Sequence, residues 1–314
     1  MTKLFFIIGC TASGKSAVAL ELARRLGGQI ISVDSMKIYR RMDIGTAKPS
    51  PADRAEAPHH CIDLVEPSEG FSVAQYVDCA DTAIEAVAAA GAVPLAVGGT
   101  SLYIKALSEG LFEGPSADPQ VRAALKARAA ADGLTKLHAE LARVDAQAAA
   151  NIHPNDERRI VRAMEVYQAT GRPISELQQQ WNTGRWRYDC TFIGLLRDKA
   201  DQSGRISRRV KRMIDAGFVD EVASLLAEPA GLSRQAAAAV GYAEIIGHLG
   251  GRCSLADAVE RIKINTRRLA KKQRTWHRRF ADVHWLPAGP DDNAADLADR
   301  VMAAISFDSP PAPA

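Results

Sequence analysis

Residues 9–16 read Gly9-Cys10-Thr11-Ala12-Ser13-Gly14-Lys15-Ser16: two glycines five apart, then lysine and serine. The apolar run Leu4–Ile8 precedes them and a helical pattern beginning at Ala17 follows. This is the strand–loop–helix setting that a P-loop requires. Backbone N–H groups of such a loop converge on phosphate oxygens, and the helix dipole turns its positive end the same way. Lys15 would reach the outer phosphate and Ser16 a magnesium ion. The plain alternative is a glycine-rich turn that happens to carry Lys-Ser. The loop points to a diphosphate or triphosphate site of the nucleotide-binding, ATP-binding kind. It leaves open what the phosphates are attached to.

Other residues could do chemistry beside it. Asp34 ends the apolar run Gln29–Val33. It reads either as a turn or N-cap aspartate or as a carboxylate facing the P-loop across the carboxyl ends of the strands. Residues 35–49 form a long polar stretch with little core-building content, given a basic tone by Lys37, Arg40, Arg41 and Lys48; long loops in compact domains are often functional. Gly98-Gly99-Thr100 is a strand-end turn that offers a hydroxyl and close backbone approach, as a plain strand-to-helix turn also would. Arg158, Arg159 and Arg162 lie on a helix, and Arg158 and Arg162 share a face. From Arg261 to Phe280 there are nine Lys or Arg residues and no Asp or Glu. Arg267, Lys271, Arg274 and Arg278 form a basic stripe there, while Ile262, Leu269 and Trp276 repeat every seven as an apolar one. An acid-free basic face suits a phosphate-rich partner. The seven histidines show no metal pattern, and His59-His60 read as structural. Five cysteines, none in a Cys-x-x-Cys pair, suit reduced thiols, with Cys10 a small loop filler.

The elements that must position these residues alternate strand and helix over the first third. Strands are expected at 4–9, 29–34 and 92–99, and helices at 15–26, 72–90 and from 100 or 101 to 108, with Ser72 as an N-cap. Apolar strands alternating with helices imply a parallel sheet covered on both faces, an α/β class with a P-loop NTPase-like core. Gly114–Pro119 breaks the pattern, and 119–180 reads as Ala-rich helices at 120–132, 134–144, 146–152, 156–170 and 174–180. A strand returns at 190–196, followed by helices at 202–216, 218–227 and 241–250, a long basic helix at 255–280, a strand at 284–286 and a helix at 293–305. The division expected is 1–115 as the first part of the core, 116–189 as an all-helical insertion domain, and 190–314 as the second part of the core. Residues 309–314 are expected to fray. The chain has 314 residues, 47% hydrophobic and 25% charged, with a net charge of +3. That suits a soluble protein of one large or two smaller domains. No apolar run approaches the ~20 residues of a membrane span, and no signal peptide is expected.

Together these stretches resemble the tRNA dimethylallyltransferase (tRNA isopentenyltransferase) family. The matching pieces are the P-loop, Asp34-Ser35-Met36-Lys37-Ile38-Tyr39, Asp43–Pro49, Pro58–Asp63, Val97–Leu107, Ser116–Arg122, His153–Asp156 with Arg159 and Arg162, Val240–Tyr242 and Thr266–Trp276. They run in one order from about residue 3 to about residue 286. Cys10 stands where the family usually has Pro, and Lys37 where it often has Gln. The segment after Gly241-Tyr242 lacks a frequent basic residue. The zinc finger of the eukaryotic members is absent, so the chain looks like the bacterial form. The resemblance implies transfer of a dimethylallyl group from dimethylallyl diphosphate to the exocyclic amine of an adenine beside the anticodon of tRNA. It implies Mg2+ as cofactor, Asp34 as general base, Lys15 and Thr100 in the reaction channel, and diphosphate in the loop Gly9–Ser16. It also implies tRNA contacts by Asp34, Ser35, Met36, Lys37, Thr100, Arg122, Arg158, Arg159, Ile160, Val161 and Arg162. Arg267, Lys271 and Arg274 add the basic helix face. A cytoplasmic monomer, with no membrane and no obligate protein partner, is the expectation. The rival readings are a P-loop kinase of a small metabolite, a prenyltransferase of free adenosine phosphates, and an RNA-binding module with a relic P-loop. The kinase leaves the helical insertion and the acid-free helix unexplained. An intact Gly-Lys-Ser beside Asp34 argues against the relic.

Overall fold

The computed structural model describes every residue except 113, 116, 117, 182 and 306–314. The fraying expected at 309–314, and two positions of the turn at 114–119, therefore lie outside the described residues. The chain divides into two compact units, Met1–Ser108 with Trp186–Ala314, and Glu109–Arg185.

The first unit is built on six parallel strands in the order β3-β2-β4-β1-β5-β6. In chain order its first part runs β1 (Lys3–Gly9), α1 (Lys15–Leu26), β2 (Gly28–Val33), α2 (Pro51–Glu56), β3 (His59–His60), α3 (Val73–Ala89), β4 (Val93–Gly98) and α4 (Ser101–Glu109). The second unit holds α5 (Pro119–Asp132), α6 (Leu134–Val144), α7 (Ala146–Asn151), α8 (Glu157–Thr170) and α9 (Ile174–Leu177). The first unit then resumes with β5 (Asp189–Arg197), α10 (Lys199–Asp215), α11 (Phe218–Ala227), α12 (Arg234–Ala237), α13 (Tyr242–Leu249), α14 (Leu255–His277), β6 (Val283–Ala288) and α15 (Ala294–Ala304).

The strands are apolar on both faces because both faces are covered. Phe5, Ile7, Leu95, Val97, Ile193 and Leu195 pack one face against Val18, Ala19 and Leu22 of α1 and Leu297, Ala298 and Val301 of α15. On the other face Phe6 stacks on Phe192 at 4.6 Å and Phe192 on Phe280 at 5.8 Å. The chain moves from β1 outward to β2 and β3, and β4 then returns into the gap between β2 and β1. That reversal is the switch point where open α/β sheets bind ligands, beyond the carboxyl ends of the strands. The P-loop, Asp34 and Gly99-Thr100 end β1, β2 and β4, three adjacent strands.

Three short elements escape the sequence pattern. The helix α2 is six residues long and depends on a capping box between Ser50 and Asp53, with Pro51 at its first position. Strand β3 is two residues paired to β2, and α12 is a single turn capped by Ser233. The stretch at 35–49 also differs from expectation. Ile38, Tyr39 and Met42 are buried in the core, and the Lys48 side chain is buried, donating to the Tyr39 carbonyl and the carboxylates of Asp43 and Asp63. Arg40 pairs with Glu66, and Arg41 with Glu66 and Glu228. The stretch folds as a packed strap rather than a solvated loop, and three of its four basic residues are neutralised.

The second unit packs Leu125, Leu137, Leu141, Ile160, Val161 and Val166 into a core of its own. Beside that core Glu165, 1% exposed, accepts from Arg122, Arg162 and the Asp118 N–H. Burial works to raise its pKa, but Arg162, Arg122 and the N–H outweigh it and hold the carboxyl below its ordinary value. Glu165→Ala strands two guanidiniums and an N–H, and is expected to cost about 2–4 kcal/mol in urea unfolding. Glu165→Gln, which retains an acceptor for Asp118, is expected to cost less; equal losses would show that the N–H bond contributes nothing.

Candidate functional site

The phosphate loop is shaped from outside. The carbonyls of Thr11, Ala12 and Ser13 each accept from a side chain: Gln202 Nε2 at 2.9 Å, Arg205 Nε at 3.0 Å and Arg197 Nε at 2.7 Å. Arg197 is held in turn by Asp201 and the Gly289 carbonyl. Ala12 takes a φ of 62° and Gly14 one of 98°, so the chain turns sharply into α1. Gly14 is the N-cap of α1, and no side chain caps this helix. The Lys15 N–H donates to Ser13 Oγ at 3.4 Å and the Ala17 N–H to the Gly14 carbonyl at 3.1 Å, and the positive end of the helix dipole points at the loop. Lys15 is half-buried and Ser16 exposed at the head of α1.

On the neighbouring strand ends, Asp34 Oδ1 accepts from the N–H of Met36 at 2.9 Å and of Lys37 at 3.4 Å. The turn reading of Asp34 holds, and it is compatible with the site reading: one oxygen builds the turn, and Oδ2 makes no hydrogen bond among the described residues. Thr100 Oγ1 accepts from the Ser35 N–H at 3.1 Å, and the Thr100 N–H donates to the Val33 carbonyl. Lys15, Lys37, Arg209 and Asp34 all feel one another. Burial first, then the charge of Lys37, lowers Lys15 to about 8, with Asp34 opposing. Lys37 is lowered by burial, again opposed by Asp34. Arg209 of α10 is likewise lowered by burial and supported by Asp34, and it donates to the Thr46 carbonyl at 3.4 Å. Three cations around one carboxylate leave a surplus of positive charge suited to an anion. Arg209 was missed by sequence reasoning, since the helix 199–215 is Arg-rich throughout and nothing local marks one arginine as facing inward.

The strap with Asp34–Lys37 is clamped by Glu221 of α11. Its carboxylate accepts from the N–H groups of Asp43, Ile44 and Gly45 at 3.0, 2.7 and 3.2 Å and from the Tyr242 hydroxyl at 2.6 Å.

Helix α14 differs from its sequence reading. Its buried residues are Ala258, Ile262, Ala270 and His277, whereas Leu269 is 37% exposed. The seven-residue apolar stripe is thus no core face; Trp276 instead lies under Arg279. Arg267 donates to the hydroxyls of Ser203 and Ser207, and Arg274 to Gln202. These partners are neutral, so the charges are oriented but not cancelled. Lys271 and Arg278 are exposed. In the second unit Arg158 is exposed, Arg159 pairs loosely with Asp156 at 3.5 Å, and Arg122 and Arg162 are spent on Glu165. Ile160 and Val161 are 0% and 3% exposed. Their side chains belong to the core and are out of reach for the tRNA contact expected of them: the helical period turns 160 and 161 inward where 158 and 159 face out.

The His277 imidazole is 1% exposed, and neither ring nitrogen has a hydrogen-bond partner. It lines a cavity of about 180 Å³ with Cys10, Ser13, Arg197, Gln202 and Trp285. Burial, then the charge of Lys15, lowers its pKa to about 4, with a small opposing effect from the Gly99 backbone. The fold accepts it neutral. Its contribution to stability is complete above about 6.5 and is lost as pH falls toward 4, because the unfolded chain takes the proton first. Between those limits the wild-type protein is expected to lose on the order of 3 kcal/mol more than His277→Leu, as read by urea unfolding at each pH; parallel curves would mean that this ring does not titrate on unfolding.

The sequence profile of a family described as IPP transferase matches residues 37–280, beginning after the phosphate loop. A tRNA dimethylallyltransferase of Geobacter sulfurreducens is 46% identical over 285 residues, 91% of this chain and 92% of its own. One from Anaeromyxobacter dehalogenans is 46% identical over 299 residues, 95% of this chain and 99% of its own. The crystal structure of a full-length tRNA isopentenylpyrophosphate transferase from Bacillus halodurans is similar, with a TM-score of 0.70, 37% identity and 96% of each chain covered. A eukaryotic dimethylallyltransferase captured acting on tRNA has a TM-score of 0.81 at 26% identity, covering 96% of this chain and 78% of that one. With the phosphate loop, the facing carboxylate and these relatives in agreement, the chain belongs to the IPP transferase family.

Proposed function

We propose that this protein transfers the dimethylallyl group of dimethylallyl diphosphate to the N6 amine of the adenine 3′ to the anticodon in tRNA, releasing diphosphate, as a cytoplasmic monomer. No helix among the described residues is long and apolar enough to cross a membrane. The observation that supports the chemistry is the arrangement of three adjacent strand ends, with the phosphate loop on β1, Thr100 after β4 and Asp34 after β2. An adenine amine is a poor nucleophile, because its lone pair is delocalised into the ring. As its nitrogen bonds to the allylic carbon, the carbon–oxygen bond to diphosphate breaks and the amine must give up a proton. Asp34 Oδ2 is the acceptor for that proton, its partner oxygen being tied to the turn. The charge that builds on the departing diphosphate falls among the α1 N–H groups, Lys15 and Arg209. A positioned hydroxyl at Thr100 lies between the two halves of the reaction.

Ser16 would hold Mg2+ at the head of α1. The donor set fits that ion, which keeps several waters and leans on substrate phosphate oxygens rather than on a protein cage; among the described residues no group of three His, Cys, Asp or Glu offers such a cage. When bound, Mg2+ supplies charge neutralisation to the diphosphate. For tRNA, the exposed Arg158 and Arg159 of the second unit and, in the first unit, the exposed Lys271 with the oriented Arg267 and Arg274 supply phosphate contacts. The target base lies in a loop, so extruding it costs less than opening a duplex.

Incubation with labelled dimethylallyl diphosphate, magnesium and unmodified tRNA is expected to label the tRNA. Label in AMP instead, or phosphorylation that consumes ATP, would replace this reading with a free-nucleotide prenyltransferase or a kinase. Asp34→Ala is expected to lower transfer by at least about 10²-fold with tRNA binding retained; near-normal turnover would remove Asp34 as the base. Because Lys15 loses its proton near pH 8, pyrophosphate affinity is expected to fall as pH rises through about 8 in the wild type and to stay flat over that range in Lys15→Met. A wild-type profile as flat as the variant's would take Lys15 out of the diphosphate site.

A further inference from the structure

Gln273 of α14 touches both halves of the site at once. Its Oε1 accepts the Thr11 N–H of the phosphate loop at 2.8 Å, and its Nε2 donates to the Gly99 carbonyl at 2.9 Å, one residue before Thr100. The two partners fix which end of the amide is which, since Thr11 offers a hydrogen and Gly99 a lone pair. Space at Gly99 is committed to this contact. A Cβ there would stand 2.6 Å from Gln273 Nε2 and 3.0 Å from the Gly9 carbonyl. The Thr11 carbonyl, in the next peptide, accepts from Gln202 of α10, whose own side-chain oxygen accepts from Arg274 of α14. Helix α14 thus holds Thr11 directly at its N–H and, through Gln202, at its C=O, and Gln273 extends that grip to the strand-end turn of β4.

We propose that Gln273 is a positioning residue that sets the spacing between the diphosphate cradle and the Thr100–Asp34 rim, so that a diphosphate seated in the loop is felt at the Gly99–Thr100 turn. This rests on the reading of the site given above and adds a mechanical link to it. β1 and β4 are neighbours in the sheet, but sheet hydrogen bonds end with the strands; beyond them the carboxamide bridges the two turns. Transfer needs the allylic carbon and the amine in register to a fraction of an ångström. Binding of diphosphate alone needs just one of the two turns. Loss of the bridge therefore falls harder on kcat than on diphosphate affinity.

The test compares wild type, Gln273→Met and Thr275→Ala, a neighbouring exposed position on α14, by hydrogen exchange with and without magnesium pyrophosphate and by transfer kinetics. In wild type and Thr275→Ala, pyrophosphate is expected to slow exchange in peptides covering both 9–16 and 98–101. In Gln273→Met it is expected to slow the first peptide alone. Transfer by Gln273→Met is expected to fall about tenfold or more in kcat, with pyrophosphate Kd within about threefold of wild type. The proposal is overturned if the 98–101 peptide still responds in Gln273→Met, or never responds in wild type. It is equally overturned if kcat is unchanged, or if affinity, kcat and melting temperature all drop together as for a general scaffold residue. A wild-type protein that shows the linked protection yet never alkylates tRNA would sink dimethylallyl transfer and leave the bridge standing.

Discussion

The outward carbonyls of Thr11, Ala12 and Ser13 govern the site. A loop that presents N–H groups to an anion must turn its carbonyls elsewhere, and a half-buried carbonyl without a donor costs about as much as a lost hydrogen bond. Here each has its own donor, from Gln202, Arg205 and Arg197. Two of the three are charge-assisted and stronger for it. They offset the left-handed backbone at Ala12, a conformation that costs about 1–2 kcal/mol. The cradle is therefore built before a ligand arrives, and the walls that hold these carbonyls are β5 and α10, which follow the loop by more than 180 residues.

Charge is arranged in the same anticipatory way. Lys15, Lys37 and Arg209 crowd a single carboxylate, and Lys15 is driven down to about 8 by burial and by its neighbours. Such a cluster is unfavourable in the free protein. An anion seated among these cations would relieve it, so part of its binding energy would be the removal of a repulsion already present. The arginines of the second unit obey a different logic. Arg122 and Arg162 are neutralised by a buried Glu165 and serve the unit's own structure, while Arg158 and Arg159 remain outside. Arginines of one motif thus divide between scaffold and surface.

Much of the chain was legible in order and type. The helices Lys15–Leu26, Leu134–Val144 and Phe218–Ala227 begin and end where their glycine stops and apolar periods indicate. Ser72 caps α3 through a capping box with Gln75. These are local signals, carried by residues three or four apart. The failures share the opposite cause. The stretch 35–49 shows little core-building content in sequence, yet Lys48 is buried between Asp43 and Asp63, which lie five residues before it and fifteen after it. The heptad spacing of Ile262, Leu269 and Trp276 marks an apolar stripe, but Leu269 is left exposed while Gln273 and His277 reach the strand ends. Which side of a helix a sheet selects is decided by everything else that packs there.

From sequence alone came the phosphate loop, the parallel α/β class, the carboxylate at the end of β2 and the family itself. Each is written in a short run of residues whose spacing has one main structural meaning. Tertiary structure decided which arginine of α10 meets Asp34, which basic residues are spent on Glu165 or on serine hydroxyls, that His277 is buried neutral beside Lys15, and that one glutamine joins the two turns of the site. Those facts depend on groups tens to hundreds of residues apart being packed together, the hydrogen-bonded ones within about 3 Å of each other. No local pattern in the chain encodes such an approach.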